Sequence, residues 1–263
     1  MMNPLQALIL GIVEGLTEFL PVSSTGHLIL ASRWLGMAGE GVKTFEVVMQ
    51  SGALVAVIWL YRGRLLAVCR GHREGRRLLA NLVVSFLPAA AAGLLLHRLI
   101  KRLLFTPAAV AAALAAGGLF MVLADRWLRS RQAPGRTLES VTPRQALWIG
   151  LAQVLAFWPG TSRAMVTLAA GMAVGLPAGA AAEYSFLLAI PTLGAATFLD
   201  AAQGGRALLA EVSAPAVALG FASAAGAAAL AIRGFLRCLN RRGLAVFGWY
   251  RLALALAVWL ALS

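Results

Sequence analysis

Residues 14–28 read E-G-L-T-E-F-L-P-V-S-S-T-G-H-L, with two glutamates, two threonines, two serines and a histidine in fourteen positions. Apolar residues flank this cluster on both sides. Glu14 and Glu18 are spaced i,i+4, so a helix sets them on one face, where like charges repel. A charge at membrane depth costs at least ~2.5–3.5 kcal/mol. A divalent cation, Mg²⁺ or Ca²⁺, or a cationic side chain would compensate. The plainer alternative is a protonated carboxyl or a carboxylate facing interfacial water.

Ser23, Ser24 and Thr25 follow Pro21, where a loop gives way to a new helix. Exposed N–H groups there favour an anion such as phosphate, although serine and threonine at such a place also serve as ordinary N-caps. His27 alone reads equally as a buried, satisfied histidine. A second stretch, W-P-G-T-S-R-A-M-V-T at 158–167, supplies the complement. Gly160 permits a tight turn, Ser162 and Thr167 carry hydroxyls, and Arg163 is a cation in an apolar segment. Its planar fork suits phosphate bidentately, or it forms a buried ion pair with Glu14 or Glu18. Either role requires the two loops to meet. A hydroxyl, a base, carboxylates for a metal and an arginine make up the parts of metal-assisted phosphoryl transfer. Loops at membrane depth suit a lipid phosphate as substrate.

The elements that hold these residues are membrane helices. The chain has 263 residues, is 60% hydrophobic and only 13% charged, and has a mean hydropathy of +0.82. An average soluble domain is about 25% charged. Six full spans are expected near 45–61, 79–97, 106–125, 183–200, 213–232 and 245–262. Regions 4–37 and 145–177 are broken at F-L-P-V-S-S-T-G and F-W-P-G-T-S-R, leaving halves too short to span, so each should enter the membrane and turn back. The first apolar stretch lacks a basic leader and carries two glutamates, unlike a signal peptide. Cys69 and Cys238 fall in basic segments and form neither a disulfide framework nor a metal site. The net charge of +13 gathers between apolar segments, which points to membrane topology and away from nucleic acid.

The two halves resemble each other. L-Q-A-L-I-L-G-I-V-E-G-L (5–16) aligns with R-Q-A-L-W-I-G-L-A-Q-V-L (144–155) at an offset of 139, pairing Gly11 with Gly150 and Glu14 with Gln153. One deletion later, 19–25 aligns with 157–163, pairing Ser24 with Ser162. The expected architecture is an all-α polytopic membrane protein, a single domain over 1–263, with repeats at about 1–128 and 140–263. Each repeat holds one re-entrant pair and three spans. Three is odd, so the second repeat is inverted, with the site at the repeat interface. Basic loops at about 62–78, 126–144 and 233–244 hold fifteen arginines, against six Lys or Arg on the opposite side, including Arg98, Lys101 and Arg102. That bias makes the arginine-rich side cytoplasmic. The first re-entrant loop then enters from outside and the second from the cytoplasm. Arg163 and Arg251 lie within apolar segments.

These motifs resemble the bacterial undecaprenyl-pyrophosphate phosphatase family of the bacitracin-resistance type. The family's E-x-x-x-E segment running into P-V-S-S-T-G-H is intact here. Its P-G-x-S-R-S-x-x-T appears as P-G-T-S-R-A-M-V-T, with Ala164 in place of the usual serine. K-T-F-E-V-V-M-Q-S-G-A-L-V-A-V (43–57) and E-Y-S-F-L-L-A-I-P (183–191) are also similar to the family. The resemblance implies hydrolysis of undecaprenyl pyrophosphate at the outer face of the plasma membrane, with a divalent metal, and resistance to bacitracin. It further implies Ser24 as nucleophile, Glu18 as its base or metal-side partner, Glu14 as metal holder, Arg163 as phosphate clamp and His27 as acid/base. Ser23, Thr25, Ser162 and Thr167 would bind phosphate oxygens, with Gly160 in the same turn. Covalent attack by Ser24 and direct attack by water both remain open, as does a homodimer.

A polyprenyl-phosphate flippase is the main rival on this scaffold, and a structural scaffold explains the spans but not Glu14, Glu18 and Arg163. The topology predicts that a cysteine at position 72, in a Cys69→Ser, Cys238→Ser background, reacts with an impermeant maleimide only from the cytoplasmic side. Labelling from the outer side of intact spheroplasts would overturn it.

Overall fold

A computed structural model describes the backbone of residues 2–104 and 106–262. The side chains of 96–104, 107, 209 and 262, hence Arg98, Lys101 and Arg102, lie outside the described residues. Among the described residues eleven α-helices follow in order: α1 (Pro4–Glu18), α2 (Ser24–Trp34), α3 (Glu40–Leu60), α4 (Arg62–Cys69), α5 (Arg73–Leu104), α6 (Pro107–Ser130), α7 (Pro143–Gln153), α8 (Arg163–Ala173), α9 (Ala178–Glu211), α10 (Ala214–Arg242) and α11 (Ala245–Leu262). The chain is an all-α polytopic membrane protein.

Among the described residues five helices, α3, α5, α6, α9 and α10, are long and apolar enough to cross a membrane. The sixth expected span is α11, whose 18 residues reach about 27 Å at 1.5 Å per residue. Helices α9 and α10 outrun the expected spans. Pro191 sits inside α9 without ending it, as proline in membrane helices is tolerated where neighbours satisfy the freed groups. The basic segments 62–78 and 233–244 are largely helical, because α4 and α5 fill the first and α10 runs to Arg242. Arginine is a good helix former, and Arg241 and Arg242 in the last turn of α10 suit the dipole. On the same side Arg64 binds both Glu139 and Glu183, tying α4 to the 137–142 turn and to α9.

The two broken regions start alike. Asn3 caps α1, its side chain accepting from Gln6 N at 2.8 Å while Gln6 Oε1 accepts from Asn3 N at 2.9 Å. Thr142 and Gln145 repeat that reciprocal box at α7. Pro4 and Pro143 follow each cap, at a position where a missing N–H costs nothing. The capping box satisfies two donors that the first turn leaves unpaired. After α1 and α7, Pro21 and Pro159 prevent the helices from continuing.

Small residues let α1 press into α10. A Cβ on Gly11 would lie 2.3 Å from the Gly220 carbonyl oxygen, and one on Gly15 would lie 2.3 Å from that of Ala224. Gly150 meets α5 in the same way, 2.4 Å from the Ser85 carbonyl oxygen. Without a hydrophobic drive between helices in lipid, such close backbone approach provides the packing energy. It also fixes the rotation of α1, which buries the face bearing Glu14 and Glu18. Gly15→Val should force the helices apart and cost at least about 1–3 kcal/mol. A melting temperature in detergent equal to that of the wild type would contradict this packing.

Candidate active site

Glu18 stands at the end of α1, and Ser24 opens α2 after the 19–23 turn. The Ser24 hydroxyl donates to Glu18 Oε2 at 2.7 Å, and both residues are buried. The other oxygen, Oε1, accepts from Arg163 Nη2 at 3.1 Å. One carboxylate thus joins the 19–23 turn to the turn that ends at Ser162. Arg163 is further held by the Ser185 carbonyl at 3.0 Å and lies over the Phe19 ring. The ion pair anticipated as one role for Arg163 is present, and the loops meet as both roles required.

Ser23 and Ser162 are the two non-glycine residues with positive φ among the described residues, at 70° and 72°. Each is the N-cap of its following helix. Their spacing of 139 equals the offset of α1 to α7, so the turns match without the deletion that pairs Ser24 with Ser162. In this register Ser24 corresponds to Arg163. The strain turns the first residue of each helix inward, and it persists only where surrounding structure holds it. The caps differ in one respect: Ser162 Oγ accepts from Met165 N at 3.3 Å, whereas the Ser23 side chain makes no cap bond. The first turn of α2 therefore keeps donors that an anion can use.

The remaining expected residues divide. Thr25 lies half-buried beside Ser24. The Thr167 hydroxyl is engaged within the protein, bonding to the Arg163 carbonyl at 2.8 Å and to Ser185 Oγ at 2.6 Å. Gly160 has φ 95°, and its carbonyl faces Arg251. His27 is not hydrogen-bonded to Ser24. Its Nδ1–H donates to the Ser23 carbonyl at 2.8 Å, which in the neutral ring leaves Nε2 to accept from the Tyr250 hydroxyl at 2.8 Å.

Glu14 is wholly buried, and neither carboxylate oxygen has a hydrogen-bond partner; the Gln153 amide and Arg163 Nε share that condition. The charges bearing on Glu14 come from Glu18, Glu46 and Arg163. Unpaired buried polar atoms are rare and costly, so this corner fits a cation at Glu14 and a polar ligand at Arg163. Among the described residues no three His, Cys, Asp or Glu side chains form a closed metal cage. A site with few protein carboxylates, completed by water and phosphate oxygens, is the usual form for Mg²⁺.

Sequence reasoning assigned nothing to Glu46, Ser185, Tyr250 or Gln153. Glu46 accepts from Ser32 at 2.7 Å and adds a third carboxylate near Glu14. A glutamate in the apolar run 45–57 was its visible signal.

The profile of a family described as bacitracin resistance protein BacA matches residues 7–257. The chain belongs to that family. It is 51% identical to an undecaprenyl-diphosphatase of Sorangium cellulosum over 97% of this chain and 85% of the relative. It is 45% identical to one of Nitrosomonas europaea and 46% identical to one of Methylococcus capsulatus, each over 97% of this chain and 93% of the relative.

Ala164, the departure from the BacA-family motif, is buried beside Arg163. The guanidinium already binds Glu18 and Ser185, so a serine there is not needed to orient it. Ala164→Ser should leave turnover within about threefold of wild type, under 1 kcal/mol in barrier. A gain of a hundredfold would show that this chain lacks an essential hydroxyl.

Proposed function

We propose that this protein hydrolyses undecaprenyl diphosphate to undecaprenyl phosphate and inorganic phosphate, renewing a lipid carrier for wall synthesis and resisting bacitracin. The observation that carries the reading is the buried Ser24–Glu18–Arg163 chain. It pairs a hydroxyl with a carboxylate base at 2.7 Å and sets a phosphate-binding cation on the other oxygen of that base. The relatives' names supply the lipid. A flippase is not favoured, because moving a lipid needs neither a nucleophile nor its base.

Ser24 Oγ attacks the terminal phosphorus while its proton passes to Glu18 Oε2. The phosphoanhydride P–O bond breaks, and undecaprenyl phosphate leaves with the bridging oxygen. Glu18 passes that proton to the departing phosphate oxygen; water then attacks the phosphoserine, giving a proton to Glu18, and as the P–Oγ bond breaks Glu18 returns it to Ser24 Oγ and phosphate is released. In the alternative course Glu18 takes the proton of a water that attacks the substrate directly. Arg163 turns part of its fork from Glu18 to the phosphate oxygens, and the donors of the first turn of α2 receive the developing charge. His27, oriented by the Ser23 carbonyl and Tyr250, is the nearby acid/base candidate. Glu14 and Glu18 would hold the divalent ion, which supplies charge neutralisation and Lewis acidity when bound.

The arginine bias and the 139-residue correspondence of caps and strained turns support inverted repeats, with the site open to the outer face of the inner membrane. The test is phosphate release from a polyprenyl diphosphate with Mg²⁺ or Ca²⁺. Glu18→Ala, Ser24→Ala and Arg163→Ala should each lose at least about a hundredfold in turnover. EDTA should abolish activity and added metal restore it. Acid-quenched protein carrying phosphate on Ser24 marks the covalent course. Full activity in all three variants would overturn the assignment.

A further inference from the structure

Helix α11 is strongly apolar, yet it carries Arg251, the largest fully buried side chain among the described residues. Arginine is almost never fully buried unless paired. Here its hydrogen bonds go to backbone carbonyls. Nη1 donates to Pro21 O at 3.3 Å and to Thr161 O at 2.9 Å. Nη2 donates to Gly160 O at 2.7 Å and to Ala113 O at 3.1 Å, and Nε donates to Leu114 O at 3.4 Å. A guanidinium has five N–H donors, and five carbonyls receive them.

The choice of carbonyls matters. Pro21 lies two residues before the strained Ser23, and Gly160 and Thr161 lie just before the strained Ser162. One planar group therefore fixes the approach to both strained turns, and Ser24 and Arg163 follow those turns directly. The fold makes room for it. A Cβ on Gly117 would come within 2.4 Å of Arg251 Nη2. Helices α6 and α11 touch backbone to backbone beside it, where a Cβ on Gly248 would lie 2.7 Å from the Gly118 carbonyl oxygen.

We propose that Arg251 is a positioning residue for the phosphatase reaction, clamping the two re-entrant turns so that Ser24 and Arg163 both reach Glu18. It rests on the phosphatase reading but assigns Arg251 no contact with substrate. Alignment of a nucleophile and a charge clamp is worth most in the transition state. Loss of the clamp should therefore lower kcat more than it raises KM.

The experiment compares wild type, Arg251→Lys, Arg251→Met and Gly117→Ala for phosphate release from a polyprenyl diphosphate, with melting temperature and elution profile in detergent. Arg251→Lys keeps the charge and some carbonyl bonds; its kcat should fall about tenfold to a hundredfold with KM within about threefold. Arg251→Met should fall further. Gly117→Ala displaces the guanidinium while keeping it, and should show the same split in milder form. If Arg251→Met does not fold, Arg251→Lys and Gly117→Ala decide the matter. Folded variants with wild-type kcat would overturn the proposal. So would a raised KM at unchanged kcat, which marks a direct substrate contact. A wild type that releases no phosphate would instead sink the phosphatase reading itself.

Discussion

The site depends on one buried carboxylate with two commitments. Glu18 receives the Ser24 proton on one oxygen and the Arg163 guanidinium on the other. The side chains of Glu18 and Arg163 are 7% and 9% exposed, so desolvation offsets much of their attraction. Such a pair is weak evidence of stability and better evidence of alignment. Removing either partner leaves a charge buried without compensation, which costs about 3–5 kcal/mol. The two re-entrant turns are thereby linked energetically as well as spatially. In the proposed reaction a phosphate entering this corner would replace Glu18 as partner to part of the Arg163 fork, freeing Glu18 to act as a base.

Two irregular turns in an apolar chain leave backbone N–H and C=O groups without helix partners, and lipid offers none. Three devices hold the turns and the helices around them. The capping boxes at Asn3 and Thr142 satisfy N–H groups at the helix starts. The glycine contacts of α1 with α10 and of α7 with α5 bring the short helices close to long ones. Arg251 then collects carbonyls from both turns and from α6. The Ser23 and Ser162 strain, of order 1–3 kcal/mol each, is tolerated because these contacts hold the backbone on either side.

Much of the candidate site was legible because it lies in local spacing. Glu14 and Glu18 at i,i+4, the proline breaks and the hydroxyls after them need only helical geometry to be read. The offset of 139 in α1 and α7 was legible for the same reason. The turn register was not, because a shared Phe-x-Pro-x-x-Ser outweighed a conformational match that sequence does not display. Helix limits were less legible than spans, because helices run past the apolar core, as α10 does to Arg242. Arg251 and Tyr250 were illegible as candidate site residues because their partners are remote in the chain. Arg251 reaches Thr161 across 90 residues and Tyr250 reaches His27 across 223. A buried arginine in an apolar helix signals that a partner exists; only the fold says that the partner is backbone.

The proposed duplication gives a physical account of the division of labour. Two identical copies meeting at an interface would place like charges together. Carboxylates on both sides would repel, and arginines on both would lack a base. Here the first turn keeps Glu14 and Glu18 on α1 and puts Ser24 at the start of α2. The second puts a neutral Gln153 at the position matching Glu14 and Arg163 at the position matching Ser24. Neutralising one carboxylate position and introducing one cation turns a symmetric and repulsive contact into an attractive one. The Gln153 amide is buried without a partner. The caps share this asymmetry: the turn that carries the cation satisfies an N–H of its own through Ser162, and the turn before Ser24 has no such side-chain cap, which in the proposed reaction would leave its donors to the substrate.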